Sequence, residues 1–252
     1  MSSSLLAGAR VHLTEVDPGA GPLAGNVGLH VGDDPVLVRQ RRQALARLVG
    51  REVVWMNQTH STRVEVVTNI EGRPALLGVS SALDAPAPGE WGPVDADGVV
   101  IDARGWADAP GLAVQTADCL PVVMAADSGR VVAAVHAGRR GLLGGILTRA
   151  VDAIRELVDG PIDALIGPAI CGSCYEVPAQ MARESEALMP GVASATSWGT
   201  PSLDLPRAAA QQLVGAGVRA HIDPRCTLED GDLFSYRADP ACGRQALIVV
   251  PL

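Results

Sequence analysis

Four side chains at the ends of apolar runs, Asp118, Cys119, His136 and His60, carry the chemistry that this chain can offer. Asp118 and Cys119 sit between the apolar runs Gly111 to Gln115 and Val122 to Ala125, and His136 follows Val131 to Val135. A second imidazole, His60, closes the polar stretch Asn57-Gln58-Thr59 after Val53-Val54-Trp55. Two imidazoles and one thiolate match the three protein ligands of a catalytic zinc, which keeps its fourth tetrahedral position for water or substrate. Zinc there would hold Cys119 as thiolate and acidify bound water toward neutral pH. The same residues also read as a buried small thiol and two hydrogen-bonded histidines, because His60, Cys119 and His136 complete no compact zinc-finger or H-E-x-x-H pattern.

The elements that must position these groups follow from period and punctuation. Val122 to Ala125 and Val131 to Val135 are short apolar runs separated by the chain-breaking Asp127, Ser128 and Gly129, and the spacing predicts a hairpin. Antiparallel pairing would bring Cys119, just before one strand, to the same end as His136, just after the other. Elsewhere, residues 8 to 34 read as strand and loop. Asp33 and Asp34 before Pro35 start a helix that Gly50 stops. That helix carries Arg39, Arg41, Arg42 and Arg47, a solvated basic face or a source of one guanidinium fork for an anion. Val64 to Val67 is a strand, and 69 to 93, rich in Pro, Gly, Ala and Ser, reads as a loop or lid. Asp95 to Ile101 is a turn feeding a buried strand. Gly144 to Val158, Val177 to Leu188 and Leu205 to Val214 are helices, while Ile162 to Ile166 and Ala246 to Val250 are strands. The sum is a single mixed α/β domain over 1–252, with sheets flanked by helices.

Composition narrows the function classes. At 252 residues and 48% hydrophobic content the chain can build a substantial core. A net charge of −8 argues against nucleic acid as a partner. No apolar stretch reaches the roughly 18 residues of a membrane span, and the N-terminus has no basic segment followed by a long apolar one. The expectation is a cytoplasmic protein, monomer or homodimer. Five cysteines in such a chain favour reduced thiols, a metal or a nucleophile over a disulfide framework. Cys171-Gly172-Ser173-Cys174 is a C-x-x-C, either redox-active or half of a structural zinc site. Its second half is missing on spacing grounds, since Cys226 and Cys242 are too far apart to form another knuckle. Gly138, Gly141, Gly144 and Gly145 precede a helix beside Arg139 and Arg140, a segment that suits an anion or a surface turn.

The motifs TADCLPVV (Thr116 to Val123), VHAGRRGL (Val135 to Leu142), GPAICGSCYEV (Gly167 to Val177), and CT followed by FSYR (Cys226 to Arg237) resemble the YfiH family. So do HVGDDP at His30 to Pro35 and NQTHS around His60. This family is also called the multicopper polyphenol oxidoreductase or laccase-domain family, and its members are regarded as purine nucleoside phosphorylases. The resemblance spans nearly the whole chain. It implies layered mixed α/β sheets, zinc on His60, Cys119 and His136, and phosphorolysis of adenosine, inosine, guanosine or methylthioadenosine, with some adenosine deamination. One position departs: the family usually has Trp, in H-A-G-W-R-G, where this chain has Arg139.

With a purine nucleoside and phosphate as partners, Arg42 and Arg140 are the expected phosphate ligands. Gln58 and Asp118 are expected to contact substrate, orient ligands or trade protons. Deamination would use zinc-activated water against purine C6. Copper is the alternative metal, but an ordinary multicopper oxidase needs roughly ten imidazoles, and this chain has five histidines. A metal-free hydrolase would use Cys119 as nucleophile and His136 as base. A noncatalytic binding protein would engage a partner through 69 to 93.

Overall fold

Strands buried on both faces lose the in–out alternation of a half-buried sheet and read as continuous apolar runs, and LPVVMAA and VVAAVHA do this here. In the computed structural model, which describes residues 1–17, 21 and 23–252, the order of elements is β1 (Ser2–Leu6), β2 (Ala9–Leu13), α1 (Pro35–Val49), β3 (Val53–Met56), β4 (Val64–Ile70), β5 (Arg73–Leu76), β6 (Glu90–Val94), β7 (Gly98–Asp102), β8 (Gly111–Thr116), β9 (Leu120–Ala126), β10 (Val131–Ala137), α2 (Arg139–Leu143), α3 (Ile146–Leu157), β11 (Ile162–Ile166), α4 (Ala179–Leu188), β12 (Ala193–Ala195), β13 (Pro201–Leu203), α5 (Leu205–Gly215), β14 (Arg219–Ile222) and β15 (Gln245–Val250). One sheet runs β1-β2-β15-β8-β3-β6 and a second runs β14-β11-β9-β10-β7-β4-β5. The loop expected within 8 to 34 lies outside the described residues at 18–20 and 22.

Four layers result. Val123 and Ala125 of β9, with Val132 and Ala134 of β10, meet Val11, Leu112, Val114 and Val249 of the other sheet. On the opposite face of the same strands, Val122, Met124, Ala133 and Val135 pack on Ile146, Leu147, Val151 and Ile154 of α3 and on α5. The outer face of the first sheet packs Trp55, Ala113 and Ile248 on Ala46 and Val49 of α1. Burying a Val, Leu or Ile side chain contributes about 1.5–3 kcal/mol, so the sandwiched strands are the rigid scaffold.

Most expected elements form, and their ends have local causes. Asp34 caps α1 by accepting from Val36 N at 2.8 Å, and Gly50 ends it in the left-handed region at φ 71°. The third helix begins at Ile146 and not at Gly144, because Gly145 has φ 85° and separates α2 from α3. Helix α4 starts after Pro178, since Val177 N is held by Pro201 O at 3.0 Å in extended pairing. The stretch 69 to 93 differs from its reading as a loop or lid. It holds the end of β4, all of β5 hairpinned on β4, and the start of β6. Pro74 and Ala75 fill the sheet edge there, so composition alone misled. No helix among the described residues is long and apolar enough to cross a membrane.

Candidate active site

The chain passes from the first sheet to the second at β3→β4, β6→β7 and β8→β9, and every passage delivers polar groups to the site. His60 rides the first, Asp97 the second, Asp118 and Cys119 the third. His136 comes from β10, where it stands opposite Pro121 in the β9–β10 register. The hairpin thus forms as the sequence predicts, with His136 inside its strand instead of just beyond it. His60 and Asp118 adopt positive φ, 60° and 91°, a conformation that costs non-glycine residues energy and clusters at functional sites.

The donor atoms of His60, Cys119 and His136 all lie within 4.8 Å of one another. Cys119 Sγ is 3.7 Å from His60 Nε2, and two such ligands on a tetrahedral zinc would stand about 3.6 Å apart. The two imidazole rings meet edge to face at 4.7 Å. Asp97, fully buried, accepts from His136 Nδ1 at 2.8 Å. It also accepts from the backbone N–H groups of Thr59, His60 and Ser61 and from the Ser61 hydroxyl. One carboxylate therefore fixes the His136 tautomer, leaving Nε2 toward Cys119, and shapes the loop that presents His60.

Burial alone would push the Asp97 carboxyl up, but the hydrogen bonds from His136 and Ser61 hold it far below the usual carboxylate range. Burial opposes charge on His136 too, yet bonding to Asp97 and Cys119 raises it to about 9. For Cys119, burial is outweighed by His136 and His60, which lower the thiol to about 6. Gly138 completes the fit: a Cβ there would stand 2.7 Å from His60 Cδ2 and 3.2 Å from Cys119 Sγ. A soft donor set, a carboxylate behind one imidazole and a backbone without a side chain beside the donors all suit a zinc-type ion.

These donors open on a cavity of about 410 Å³, within the size range of small-molecule sites. Both tyrosines of the chain, Tyr175 and Tyr236, line it, together with Arg139, Arg237 and Arg244. Thr116 Oγ1 and Gln115 Oε1, also at the wall, are buried without a hydrogen-bond partner among the described residues. Buried polar atoms are normally paired, so these two are free for a ligand.

Gln58 lines the cavity with its amide engaged, donating to Gln115 O at 2.7 Å and accepting from Gln115 N at 3.0 Å. Asp118 lines it as well, but its carboxylate accepts from Thr227 Oγ1, Ser235 Oγ and Arg237 N, each at 2.7 Å. It ties the 226–237 segment to the Cys119 loop. Arg42 is 4% exposed, pairs with Glu90 at 3.0 Å and stacks 3.9 Å over Trp55, away from the three donors. Arg140 is exposed and outside the cavity wall, whereas Arg139 is on it and makes no ion pair among the described residues. Sequence reasoning gave no role to Asp97, Tyr175, Tyr236, Thr116 or Arg244. The available signals were Asp97 at a strand start and the two tyrosines within the motifs carrying the family resemblance.

Fold and site together define a layered α/β protein with a His, Cys, His donor group where its two sheets exchange strands. The family described as multi-copper polyphenol oxidoreductase laccase matches over residues 20–251. The chain belongs to that family, the YfiH family. It is 44% identical over 227 residues to the Streptomyces griseus protein named purine nucleoside phosphorylase ORF3, covering 88% of this chain and 84% of that one. It is 34% identical over 231 residues to Shigella flexneri purine nucleoside phosphorylase YfiH, covering 89% and 85%. The crystal structure of Neisseria meningitidis protein NMB0706 superposes with a TM-score of 0.79 at 32% identity, covering 99% of this chain and 98% of that one.

Proposed function

We propose that this chain is a zinc-dependent purine nucleoside phosphorylase, converting a purine nucleoside and phosphate to free base and ribose 1-phosphate. The observation that carries the reading is the shared cavity: the three metal-type donors, two tyrosines and an arginine with no carboxylate partner among the described residues face one space, in a chain whose relatives bear that enzyme's name. His60, Cys119 and His136 would hold the ion, which when bound supplies a Lewis acid facing the cavity.

The chain's own groups do the rest. Tyr175 and Tyr236 offer faces for the purine, and Thr116 and Gln115 offer it unpaired polar atoms. Arg139, in place of Arg140, supplies a guanidinium fork for phosphate; Arg42 is already neutralised by Glu90. In the reaction a phosphate oxygen bonds C1′ as the C1′–N9 bond breaks, and the base leaves with that electron pair and takes up the proton that the phosphate gives up. Holding both reactants in line is a large part of what such a site contributes. Asp97 keeps His136 in the ligating tautomer throughout.

The test is release of free base from adenosine and inosine by the zinc-loaded protein, with and without phosphate. Base with ribose 1-phosphate, formed only when phosphate is present, is the expected result. Inosine formed from adenosine without phosphate would instead identify deamination, and no turnover with zinc bound would sink the reading.

A further inference from the structure

Outside the cavity, three of the remaining four cysteines converge. Sγ of Cys171, Cys174 and Cys226 and a carboxylate oxygen of Glu229 all lie within 4.8 Å of one another. Spacing along the chain offers the C-x-x-C no second pair of cysteines. The fold supplies a single cysteine from 55 residues away, followed three positions later by an acid.

The local backbone is built around the sulfurs. Cys171 O accepts from Cys174 N at 3.0 Å and from Tyr175 N at 2.9 Å, a tight turn that puts both thiols on one side. Cys171 N donates to Cys226 Sγ at 3.3 Å, which holds the two segments sulfur to backbone. Ser202 Oγ pins the turn at Gly172 O, 2.6 Å away, and Gly172 lies so close to Asp204 that a Cβ would stand 2.7 Å from its side chain. Thr227 N donates to Ala169 O at 3.1 Å, bridging the two segments beside the sulfurs. The Glu229 carboxylate makes no hydrogen bond or ion pair among the described residues. Three sulfurs and a carboxylate oxygen thus face one another within 4.8 Å, close enough to share one cation.

We propose that Cys171, Cys174, Cys226 and Glu229 bind a second, structural zinc ion. Three thiolates and a carboxylate make a closed tetrahedral set of the kind zinc favours. Its place in the fold gives it a task. The ion would clamp the 167–177 segment to the 226–237 segment, and these carry Ile170, Tyr175, Tyr236 and Arg237 of the cavity wall. Asp118 makes the neighbouring tie, through Thr227 and through its carbonyl to Ile170 N at 3.0 Å. The ligand class is thus a soft divalent cation, and its role is to hold the wall of the pocket and not to touch the substrate.

The test is metal content and thiol protection in the full chain purified under reductant with zinc. Native mass spectrometry with elemental analysis is expected to find two zinc ions per wild-type chain, one in Cys226→Ser and one in Cys119→Ala. Because Cys226→Ser can fail to fold, the wild type carries an independent reading. Cys171, Cys174 and Cys226 should resist maleimide until a chelator is added, while Cys242 reacts equally in both conditions. Glu229→Gln, at an exposed position, should weaken retention of one ion against a chelator and leave the other unchanged. A wild type holding one zinc that Cys119→Ala removes would overturn the proposal without touching the phosphorylase reading. So would chelator-independent labelling of the three thiols, or a disulfide recovered between any two of them.

Discussion

The two thiol clusters of this molecule use the same elements of chemistry to different ends. His60, Cys119 and His136 give three donors of mixed type, with the side facing the cavity left open. Cys171, Cys174, Cys226 and Glu229 give four, drawn from two segments outside the sheets. Three ligands with an open position suit catalysis, and four suit structure. The first is assembled by passages between two rigid sheets and oriented by a buried carboxylate. The second depends on loops, which need a clamp because they lack the sandwiched packing of β9 and β10.

Substitution of one thiol in each cluster should separate these roles most widely. Cys119→Ala should lower phosphorolysis by roughly 10³-fold or more, the several kcal/mol that a Lewis acid supplies, with little change in melting temperature. Cys226→Ser should do the reverse, lowering the melting temperature while measurable turnover persists. Equal loss of turnover in both variants would erase the distinction between a catalytic and a structural cluster. Asp97→Asn should weaken metal retention at the first cluster by about 10–100-fold, as removal of a partner behind a ligating histidine does. Competition with a chromogenic chelator measures it, and an unchanged affinity would remove Asp97 from its orienting role.

Acidity sharpens the comparison further. Cys119 is already thiolate above about pH 6, whereas His136 keeps its proton up to about pH 9. Ligation at the first cluster must therefore displace the His136 proton, so affinity should rise with pH, by roughly tenfold per unit between those values, and level off above them. Calorimetry in buffers of different ionisation enthalpy would count the proton released. Uptake without proton release near pH 7 would contradict the assigned charge state. The smallest effect on activity is expected at Thr116→Val: its buried hydroxyl has no partner among the described residues, so the melting temperature should hold or rise slightly. The KM for nucleoside should still rise by roughly fivefold, as befits one lost hydrogen bond of about 1 kcal/mol.

Much of the fold was legible in the chain because its signals are local. Apolar runs between Asp, Gly and Pro marked β3, β9, β10, β11 and β15, and Asp34 and Gly50 marked the ends of α1. The same reading reached His60, Cys119 and His136, since polar groups at strand ends stand out against apolar runs. It failed at 69 to 93, where small residues and prolines pack a sheet edge. Asp97 was passed over because a turn aspartate looks alike whether it faces solvent or a histidine 39 residues on.

By itself the sequence determined which segments extend, which coil, and which residue types wait at their ends, because period, caps and turns act over a few neighbours. Only the tertiary structure decided partners. Arg42 and Arg139 are equivalent as letters, yet Glu90, 48 residues from Arg42, neutralises one, while the other turns into the cavity. Cys226 joins a C-x-x-C 55 residues earlier for the same reason. The strength of a charge or thiol depends on what packs within a few ångströms, and that distance is set by the crossing of sheets.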